Sequence, residues 1–469
     1  MDEKTKTFYH ARYILNGFEW LEDAYLSVEN GRIDGVHPTK NELPVQCEPG
    51  QTVELGEVAL VPGLVNAHSH AFQRGIRGKT EYLVADREEE DFWSWREEMY
   101  RAALGYDADR VEEVSRLAFL EMALSGITSV GEFHYLHHQP DGTPYGDPNE
   151  LANRVIRAAR DVGIRIALLR VGYHRGGFEQ PAESAQRRFV EPDVDTYLSR
   201  ADALRSTWED EPTVTVGLAP HSIRAVPSPW LQAASDYADQ HDLPLHIHAC
   251  EQRREIDESR REYGMAPVEV FEDLGMLSER LTLVHGTHLS EEELDLLGER
   301  RPTVCACPTT ERNLGDGFLP ALELAKRRVP VALGSDSHTN IDLWEEMRLV
   351  EYHERLRYER RNVLATQLAE SVLGPGGDRR LPTANALWPM GTLDGARSLG
   401  LQAGRLQPGC LADFVAIDLD HITLVGTTRE TLLADITLSM TPGAVRDVFV
   451  GGEQIVEDGR HPLLNHPRE

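Results

Sequence analysis

The segment Leu60-Val61-Pro62-Gly63-Leu64-Val65-Asn66-Ala67-His68-Ser69-His70 is a short apolar run that ends in two histidines one residue apart. Further short apolar runs follow it along the chain, and segments with helical periodicity lie between most of them. Eight strands that alternate with helices are typical of a (β/α)8 barrel. The predicted strands lie at about residues 60–66, 127–133, 164–171, 213–219, 243–249, 281–285, 303–307 and 329–334.

Local signals place turns and helix starts between these strands. Ser228 is the predicted N-cap of a helix that has Pro229 at its first position. The segment Ser290 to Glu293 fits a capping box. The long gap at about residues 72–108 predicts an insertion after the first strand.

Both chain ends consist of short strands separated by turns. Asn30-Gly31 predicts a type I′ hairpin, and Gly451-Gly452 predicts a turn near the other end. Each end has too few residues to bury a hydrophobic core of its own. We therefore expect residues 1–61 and 401–469 to form one small β-sandwich domain beside a barrel of residues 62–400.

The charge of the chain restricts its partners. Its 469 residues include 78 Asp and Glu against 48 Lys and Arg, of which only five are Lys, for a formal charge of −30. Such a surface repels nucleic acid and anionic membranes, so we expect neither as a partner. An acid excess with few lysines is typical of salt-adapted proteins, whose self-repulsion is screened in molar salt. An ordinary acidic protein from a high-GC genome is the alternative.

The expected compartment is the cytoplasm. No run approaches the ~18 apolar residues of a membrane span, and Met1-Asp2-Glu3-Lys4 lacks the basic and apolar regions of a signal peptide. The cysteines are odd in number and form no C-x-x-C pair, which favours a reducing compartment over a disulfide scaffold. They are Cys47, Cys250, Cys305, Cys307 and Cys410.

Side chains that bind metals follow the predicted strands, at the edge where such barrels place their chemistry. His68 and His70 alternate along the first strand and therefore face the same side. The fifth strand leads to His248, the sixth ends at His285, and Asp336 follows the eighth. Each residue alone would fit a structural role at the rim. Their combination at four strand ends favours a zinc site with a position left for water.

This arrangement resembles the amidohydrolase superfamily, as does the two-part end domain. Binuclear members of that superfamily commonly bridge two metals through a carboxylated lysine on the fourth strand. Here that strand ends Gly217-Leu218-Ala219-Pro220-His221-Ser222, and no lysine occurs between Lys79 and Lys326. The resemblance therefore implies a mononuclear site, with His248 and Glu251 matching the H-x-x-E of the mononuclear deaminases.

Loop motifs extend the resemblance to one family of that superfamily, the formimidoylglutamate deiminases. The similarity covers the whole barrel. It implies hydrolysis of N-formimino-L-glutamate to N-formyl-L-glutamate and ammonia, a step of histidine degradation. The motifs are Asn66 to Arg74, Phe92 to Arg96, Glu132 to His138, Ala219 to Val226 and Cys307 to Gly317.

The resemblance implies a homodimer with one Zn²⁺ per subunit. Zinc lowers the pKa of a bound water from about 15.7 to about 7, and Fe²⁺ or Mn²⁺ fits the same ligand types. Asp336 would also orient the nucleophile, His285 would polarise it, and Glu251 would carry a proton to the departing nitrogen. The implied metal ligands are His68, His70, His248 and Asp336.

A substrate with two carboxylates needs local positive charge on a protein this acidic. Arg224, after the fourth strand, is the first candidate, because a guanidinium binds a carboxylate bidentately. His221, Tyr135 and Gln73 are candidates for further hydrogen bonds, with rim packing as the alternative for the first two. Arg96, in the insertion, is expected to reach the site of its own or a neighbouring subunit, or else to form a surface ion pair.

The sequence leaves other functions open. The same zinc site would serve deamination of a nucleobase or dechlorination of a triazine, although these flat, neutral substrates favour an aromatic or amide-lined pocket over Arg224. N-formimino-L-aspartate is one methylene shorter, a difference worth only about 1–3 kcal/mol. A non-catalytic, assembly-forming relative would lack ligands that this chain has. The histidines without an assigned role are His134, His137, His138, His174, His246, His288 and His338.

Overall fold

Strands and helices alternate through the middle of the chain, and strands cluster at both ends. The structure, a computed structural model, describes residues 6–43, 52–83, 91–368 and 382–464. The strands are β1 (Thr7–Asn16), β2 (Glu19–Glu29), β3 (Arg32–His37), β4 (Thr52–Glu54), β5 (Val58–Pro62), β6 (Leu64–Ser69), β7 (Ile127–His134), β8 (Arg165–Gly172), β9 (Arg175–Gly177), β10 (Gln180–Pro181), β11 (Val214–Pro220), β12 (Leu245–Ala249), β13 (Leu281–His285), β14 (Thr303–Ala306), β15 (Val331–Leu333), β16 (Phe414–Asp418), β17 (Val445–Val450) and β18 (Glu453–Val456). The helices are α1 (Phe92–Gly105), α2 (Ala108–Leu124), α3 (Glu150–Val162), α4 (Val194–Trp208), α5 (Ser228–His241), α6 (Arg253–Tyr263), α7 (Pro267–Asp273), α8 (Glu291–Arg300), α9 (Pro308–Leu314), α10 (Ala321–Lys326), α11 (Leu343–Tyr358), α12 (Thr383–Leu387), α13 (Leu393–Ser398) and α14 (Leu432–Leu438).

A parallel sheet of eight strands forms the barrel, in the order β6-β7-β8-β11-β12-β13-β14-β15. Its first and last strands meet where Ser69 pairs with Asp336. The amide of Asp336 donates to the carbonyl of His68 at 3.1 Å, and the amide of His70 donates to the carbonyl of Asp336 at 3.1 Å. Closure of the barrel therefore places Asp336 beside His68 of β6 and His70, which directly follows that strand.

Both chain ends contribute to one mixed sheet of eight strands, ordered β18-β17-β16-β5-β1-β2-β3, with β4 paired to β1. Strand β5 runs parallel to β1 and antiparallel to β16, so it joins the two ends of the chain. A buried ion pair between Arg165 and Asp413 (Nε–Oδ2 2.7 Å) ties this sheet to the barrel. The predicted barrel with a small β domain from both ends is confirmed. The boundaries at residues 61–62 and 400–401 stay predictions.

The local signals were mostly correct. The hairpin at Asn30-Gly31 is present, and both residues have the positive φ (55° and 72°) that a type I′ turn requires. Ser290 caps α8 and completes the predicted capping box. The N-cap predicted at Ser228 is wrong, because the cap of α5 is Pro227 and Ser228 is already helical. Pro227 has the extended backbone of a cap (ψ 162°), and Pro229 fits the first turn because no helical N–H is needed there.

The insertion after the first strand is only partly described. It contains a 3₁₀ turn at Ala71–Ile76 and helix α1. Its residues 84–90, together with Cys47 and the chain ends 1–5 and 465–469, lie outside the described residues.

The other four cysteines are free. Among the residues that the structure describes, no helix is long and apolar enough to cross a membrane.

Candidate metal centre and substrate cavity

Four buried side chains converge at the carboxyl end of the barrel strands. His68 lies on β6, His70 directly follows it, His248 lies on β12, and Asp336 follows β15. Nε2 of His68 is 3.2 Å from Nε2 of His70 and 3.2 Å from Nε2 of His248. Oδ1 of Asp336 is 3.4 Å from Nε2 of His68 and 3.2 Å from Nε2 of His70. The structure thus brings the four predicted ligands within reach of one ion. These four residues are called the metal group below.

The second ring nitrogens show which atoms face a cation. Nδ1 of His70 lies 2.9 Å from the carbonyl oxygen of Phe133, and Nδ1 of His248 lies 3.0 Å from that of His221. Because a carbonyl only accepts, each Nδ1 carries the proton, and the lone pair of each Nε2 points into the group. Converging lone pairs beside a carboxylate are favourable around a cation, so these residues fit a divalent metal ion.

The protonation states of the group also suit a metal. Burial lowers the pKa of His68 to about 3, against the raising effect of Asp336. Burial and the neighbouring histidines hold the pKa of His248 well below its usual range. Burial would raise the pKa of Asp336, but the contacts with His68 and His70 hold it well below its usual range. Neutral imidazoles and an ionised carboxylate are the forms that coordinate metals.

The predicted catalytic residues Glu251 and His285 lie beside this group. Nε2 of His285 is 3.6 Å from Oε1 of Glu251 and 3.9 Å from Oδ2 of Asp336. Burial would lower the pKa of His285, but the charge of Glu251 and the hydrogen bond with Glu311 raise it to about 10. The structure therefore places a carboxylate and an imidazole next to the group. Their roles in a reaction stay predictions.

A cavity with about 640 Å³ of space between its atoms, part of it open to solvent, borders the metal group. His70, His248 and Asp336 form part of its wall, together with Glu251 and His285. Every predicted substrate-binding residue also lines it, namely Gln73, Arg96, Tyr135, His221 and Arg224.

Arg224 is held between carboxylates and aromatic rings. Its Nη2 donates to Oε2 of Glu251 at 3.1 Å, and its Nε lies 3.9 Å from Oε2 of Glu255. Its guanidinium carbon is 5.5 Å from the ring centre of Phe92 and 5.9 Å from that of Trp93. These contacts fix the guanidinium in the cavity wall, which lowers the entropic cost of binding an anion there.

Other wall residues are ordered by their own contacts. Nε2 of Gln73 donates to the hydroxyl of Tyr135 at 2.6 Å. The guanidinium carbon of Arg96 lies 4.5 Å from the ring centre of Trp93, and Arg96 lines the cavity of its own chain. The wall therefore combines the guanidinium groups of Arg96 and Arg224 with the carboxylates of Glu251 and Asp336 and with neutral hydrogen-bonding groups.

Most of the histidines without a predicted role have structural partners. Ring nitrogens of His137, His138, His174 and His246 lie between 2.8 and 3.2 Å from backbone carbonyl oxygens. Both ring nitrogens of His338 lie 3.1 Å from serine hydroxyls. These hydrogen bonds explain the positions of these imidazole rings, and no role in binding a metal or a substrate is needed.

The sequence pattern gave no role to several residues that the structure places around the site. Oε1 of Glu311 lies 3.4 Å from Nδ1 of His285, Glu255 is fully buried beside Arg224, and Tyr173 lines the cavity. The one signal for Glu311 was its place in the motif from Cys307 to Gly317. The other two carried no signal, because their contacts depend on how distant strands pack.

Comparison with known proteins agrees with this geometry. A family model described as the amidohydrolase family matches residues 59–455. The chain belongs to this family. Formimidoylglutamate deiminase of Pseudomonas aeruginosa is 36% identical to the chain over 404 residues, which cover 86% of this chain and 86% of that protein. The resemblance predicted from the sequence motifs is confirmed.

Two solved structures of relatives extend over nearly the whole amidohydrolase chain. An amidohydrolase from Brucella melitensis has a TM-score of 0.84 and 35% identity, and the match covers 97% of this chain and 96% of that one. An adenosine deaminase from Xanthomonas campestris with bound zinc has a TM-score of 0.79 and 26% identity, with coverage of 97% and 94%. The protein is therefore a hydrolase that acts on carbon–nitrogen bonds, of the deiminase and deaminase type.

Proposed function

We propose that this amidohydrolase converts N-formimino-L-glutamate and water to N-formyl-L-glutamate and ammonia. One observation carries the proposal: a single cavity combines the metal group with the guanidinium groups of Arg96 and Arg224. Positive charge in the wall suits a dicarboxylate, which the formal charge of −30 would otherwise repel. The name of the Pseudomonas aeruginosa relative supports the same substrate.

We infer that the metal is zinc, held by the three imidazoles and the carboxylate already described. A bound divalent metal supplies Lewis acidity, which lowers the pKa of water. The nitrogen and oxygen donors suit zinc, and the zinc-bound relative supports this choice. Fe²⁺ and Mn²⁺ fit the same donor types. The proposed ligands are His68, His70, His248 and Asp336.

The chain's own residues bind the substrate and move protons. Arg224 donates to one substrate carboxylate, with Gln73 and Tyr135 as further hydrogen-bonding groups. Water adds to the amidine carbon, and Glu251 takes up first one and then, as the carbon–oxygen double bond forms, the other of its two protons and passes both to the terminal nitrogen. That carbon–nitrogen bond then breaks, and the nitrogen leaves as ammonia. His285, with Nε2 3.6 Å from Oε1 of Glu251, donates a hydrogen bond to the adding oxygen.

One second candidate, deamination of a purine, has an observation in its favour. The cavity wall is rich in aromatic rings, which suit a flat base, and a structural relative is an adenosine deaminase. A neutral purine, however, would not use the positive charges of Arg96 and Arg224. The aromatic wall residues are Phe92, Trp95, Tyr100, Tyr135, Tyr173 and Phe189.

Ammonia release by zinc-loaded protein in molar salt tests the proposal. The substrates are N-formimino-L-glutamate, N-formimino-L-aspartate, adenosine, guanine and cytosine. We expect the glutamate compound to be turned over with the highest kcat/KM. The Asp336→Asn variant should lose at least about a thousandfold in kcat, because it loses the charge that orients the nucleophile, and its melting temperature should stay close to that of the wild type. Turnover of a base alone would reject the proposed substrate.

A further inference from the structure

The second ring nitrogen of His285 faces a buried carboxylate to which the proposed reaction gives no role. Glu311 lies on α9 and is buried. Its Oε1 lies 3.4 Å from Nδ1 of His285 and accepts the backbone amide of Cys307 at 2.8 Å. Its Oε2 has no hydrogen-bond partner among the residues that the structure describes. This carboxylate is thus aimed at His285 from the side opposite to Glu251.

Such a group is costly to bury without a purpose. A carboxylate taken out of water needs a full set of partners, and Glu311 has only part of one. His285 itself has a backbone φ of 79°, which is uncommon for a residue other than glycine. The ring stacks on that of His248, with ring centres 5.5 Å apart, and Oε1 of Glu311 is the polar contact at its Nδ1, on the side away from Glu251.

We propose that Glu311 is a positioning residue: it accepts the Nδ1–H of His285 and so aims Nε2 at Glu251 and Asp336. The proposal rests on the proposed hydrolytic function. A carboxylate that holds an imidazole by one nitrogen while the other faces the reaction is a recurring arrangement in active sites. Here it joins the end of β13 to helix α9, across 26 residues of sequence.

The test compares Glu311→Gln with a matched control, Glu346→Gln. Glu346 is also fully buried and also accepts a backbone amide of α9, that of Thr309 at 2.9 Å. For Glu311→Gln we expect kcat to fall about 10- to 100-fold, as for other groups that orient a reacting residue, with KM within about threefold of wild type. Glu346→Gln should change kcat less than about threefold. Zinc content and melting temperature should be similar in both variants.

Two further measurements separate positioning from a general loss of packing. Formate should partly restore the activity of Glu311→Ala and should not change that of wild type or Glu346→Ala. In zinc-loaded protein with ¹⁵N-labelled histidine, Glu311→Gln should shift the Nδ1 resonance of His285, which is identified by its absence from His285→Asn. Glu346→Gln should leave that resonance in place.

The outcomes distinguish this inference from the proposed substrate. An unshifted resonance, a kcat within threefold of wild type, or equal losses in the two Gln variants would overturn the role of Glu311. Loss of zinc from Glu311→Gln would also overturn it, because the residue would then support the metal group. If the wild type turns over a purine instead, the proposed substrate is wrong. The role of Glu311 can still be tested, because the kinetic comparison is then made with that purine and the resonance is measured without substrate.

Discussion

Arg224 is the residue on which the substrate proposal depends most. Replacement by Met keeps much of the side-chain volume and removes the charge-assisted hydrogen bonds, each worth about 1.5–3 kcal/mol. We expect kcat/KM for N-formimino-L-glutamate to fall about 10- to 100-fold, mainly through KM. Steady-state kinetics of ammonia release measure this change. Unaltered kcat/KM in Arg224→Met would show that the carboxylate binds elsewhere.

Arg254 provides the matched control. Its guanidinium carbon lies 4.5 Å from the ring centre of Trp93, an indole that Arg224 also approaches. Its side chain is exposed and pairs with Glu258 at 2.8 Å. Arg254→Met therefore removes one charge from the same region without altering the described cavity wall. An equal loss in both variants would point to general attraction of anions rather than to a specific contact with Arg224.

Prediction at the level of residues worked where the chemistry follows a strand. His68 and His70 were predictable because alternate residues of a strand share a face. Glu251 and His248 were predictable from their spacing and a family resemblance. Glu311 was not, because its contact with His285 spans 26 residues and forms only when α9 packs behind β13. Spacing along a chain carries no information about such a contact.

Strand β7 offers a test at the level of elements. A Cβ at Gly131 would lie 2.5 Å from the carbonyl oxygen of Ala67 and 2.6 Å from a methyl group of Leu399. Because Ala67 precedes a predicted metal ligand on β6, the strand cannot move aside without displacing the site. Gly131→Ala should lower stability by about 1–3 kcal/mol, the usual cost of overpacking, and reduce zinc content. Thermal unfolding and metal analysis measure these effects.

Gly105, at the end of α1, is the control for that substitution. A Cβ there would meet nothing within 4 Å. Gly105→Ala should be neutral or stabilise the protein by up to about 1 kcal/mol, because alanine loses less backbone entropy on folding than glycine. A Gly131→Ala variant as stable as Gly105→Ala would contradict the close approach of β7 to β6.

Strand positions were predictable from apolar runs, but the assignment of a run to a sheet was not. The run at residues 60–66 contains the end of β5, in the sheet of the chain ends, and the start of β6, in the barrel. Gly63 separates them, where a Cβ would lie 2.2 Å from the hydroxyl of Thr128. An uninterrupted apolar run shows that both strands are buried. It does not show that they belong to different layers.

The charge of the whole molecule cannot be balanced by its ion pairs. If each of the 48 Lys and Arg paired with one carboxylate, 78 − 48 = 30 carboxylates would still have no cation. The pairs are mostly formed by arginine, such as Arg327 with Glu291 (2.7 Å) and Asp295 (2.7 Å). The same excess underlies the predictions that the protein binds neither nucleic acid nor membranes. These predictions, the cytoplasmic location and the homodimer await direct measurement.

We expect the melting temperature to rise between about 0.1 M and 2 M KCl. The Debye length falls from about 10 Å at 0.1 M to about 3 Å at 1 M, so repulsion among the excess carboxylates is largely removed by 1 M and the rise should level off there. The same screening weakens the surface ion pairs, but each contributes only about 0–1 kcal/mol, and the formal charge of −30 makes repulsion the larger effect. Sorbitol at equal osmolality is the control, because it leaves the repulsion unscreened. A melting temperature that does not change with KCl would favour an ordinary acidic protein over a salt-adapted one.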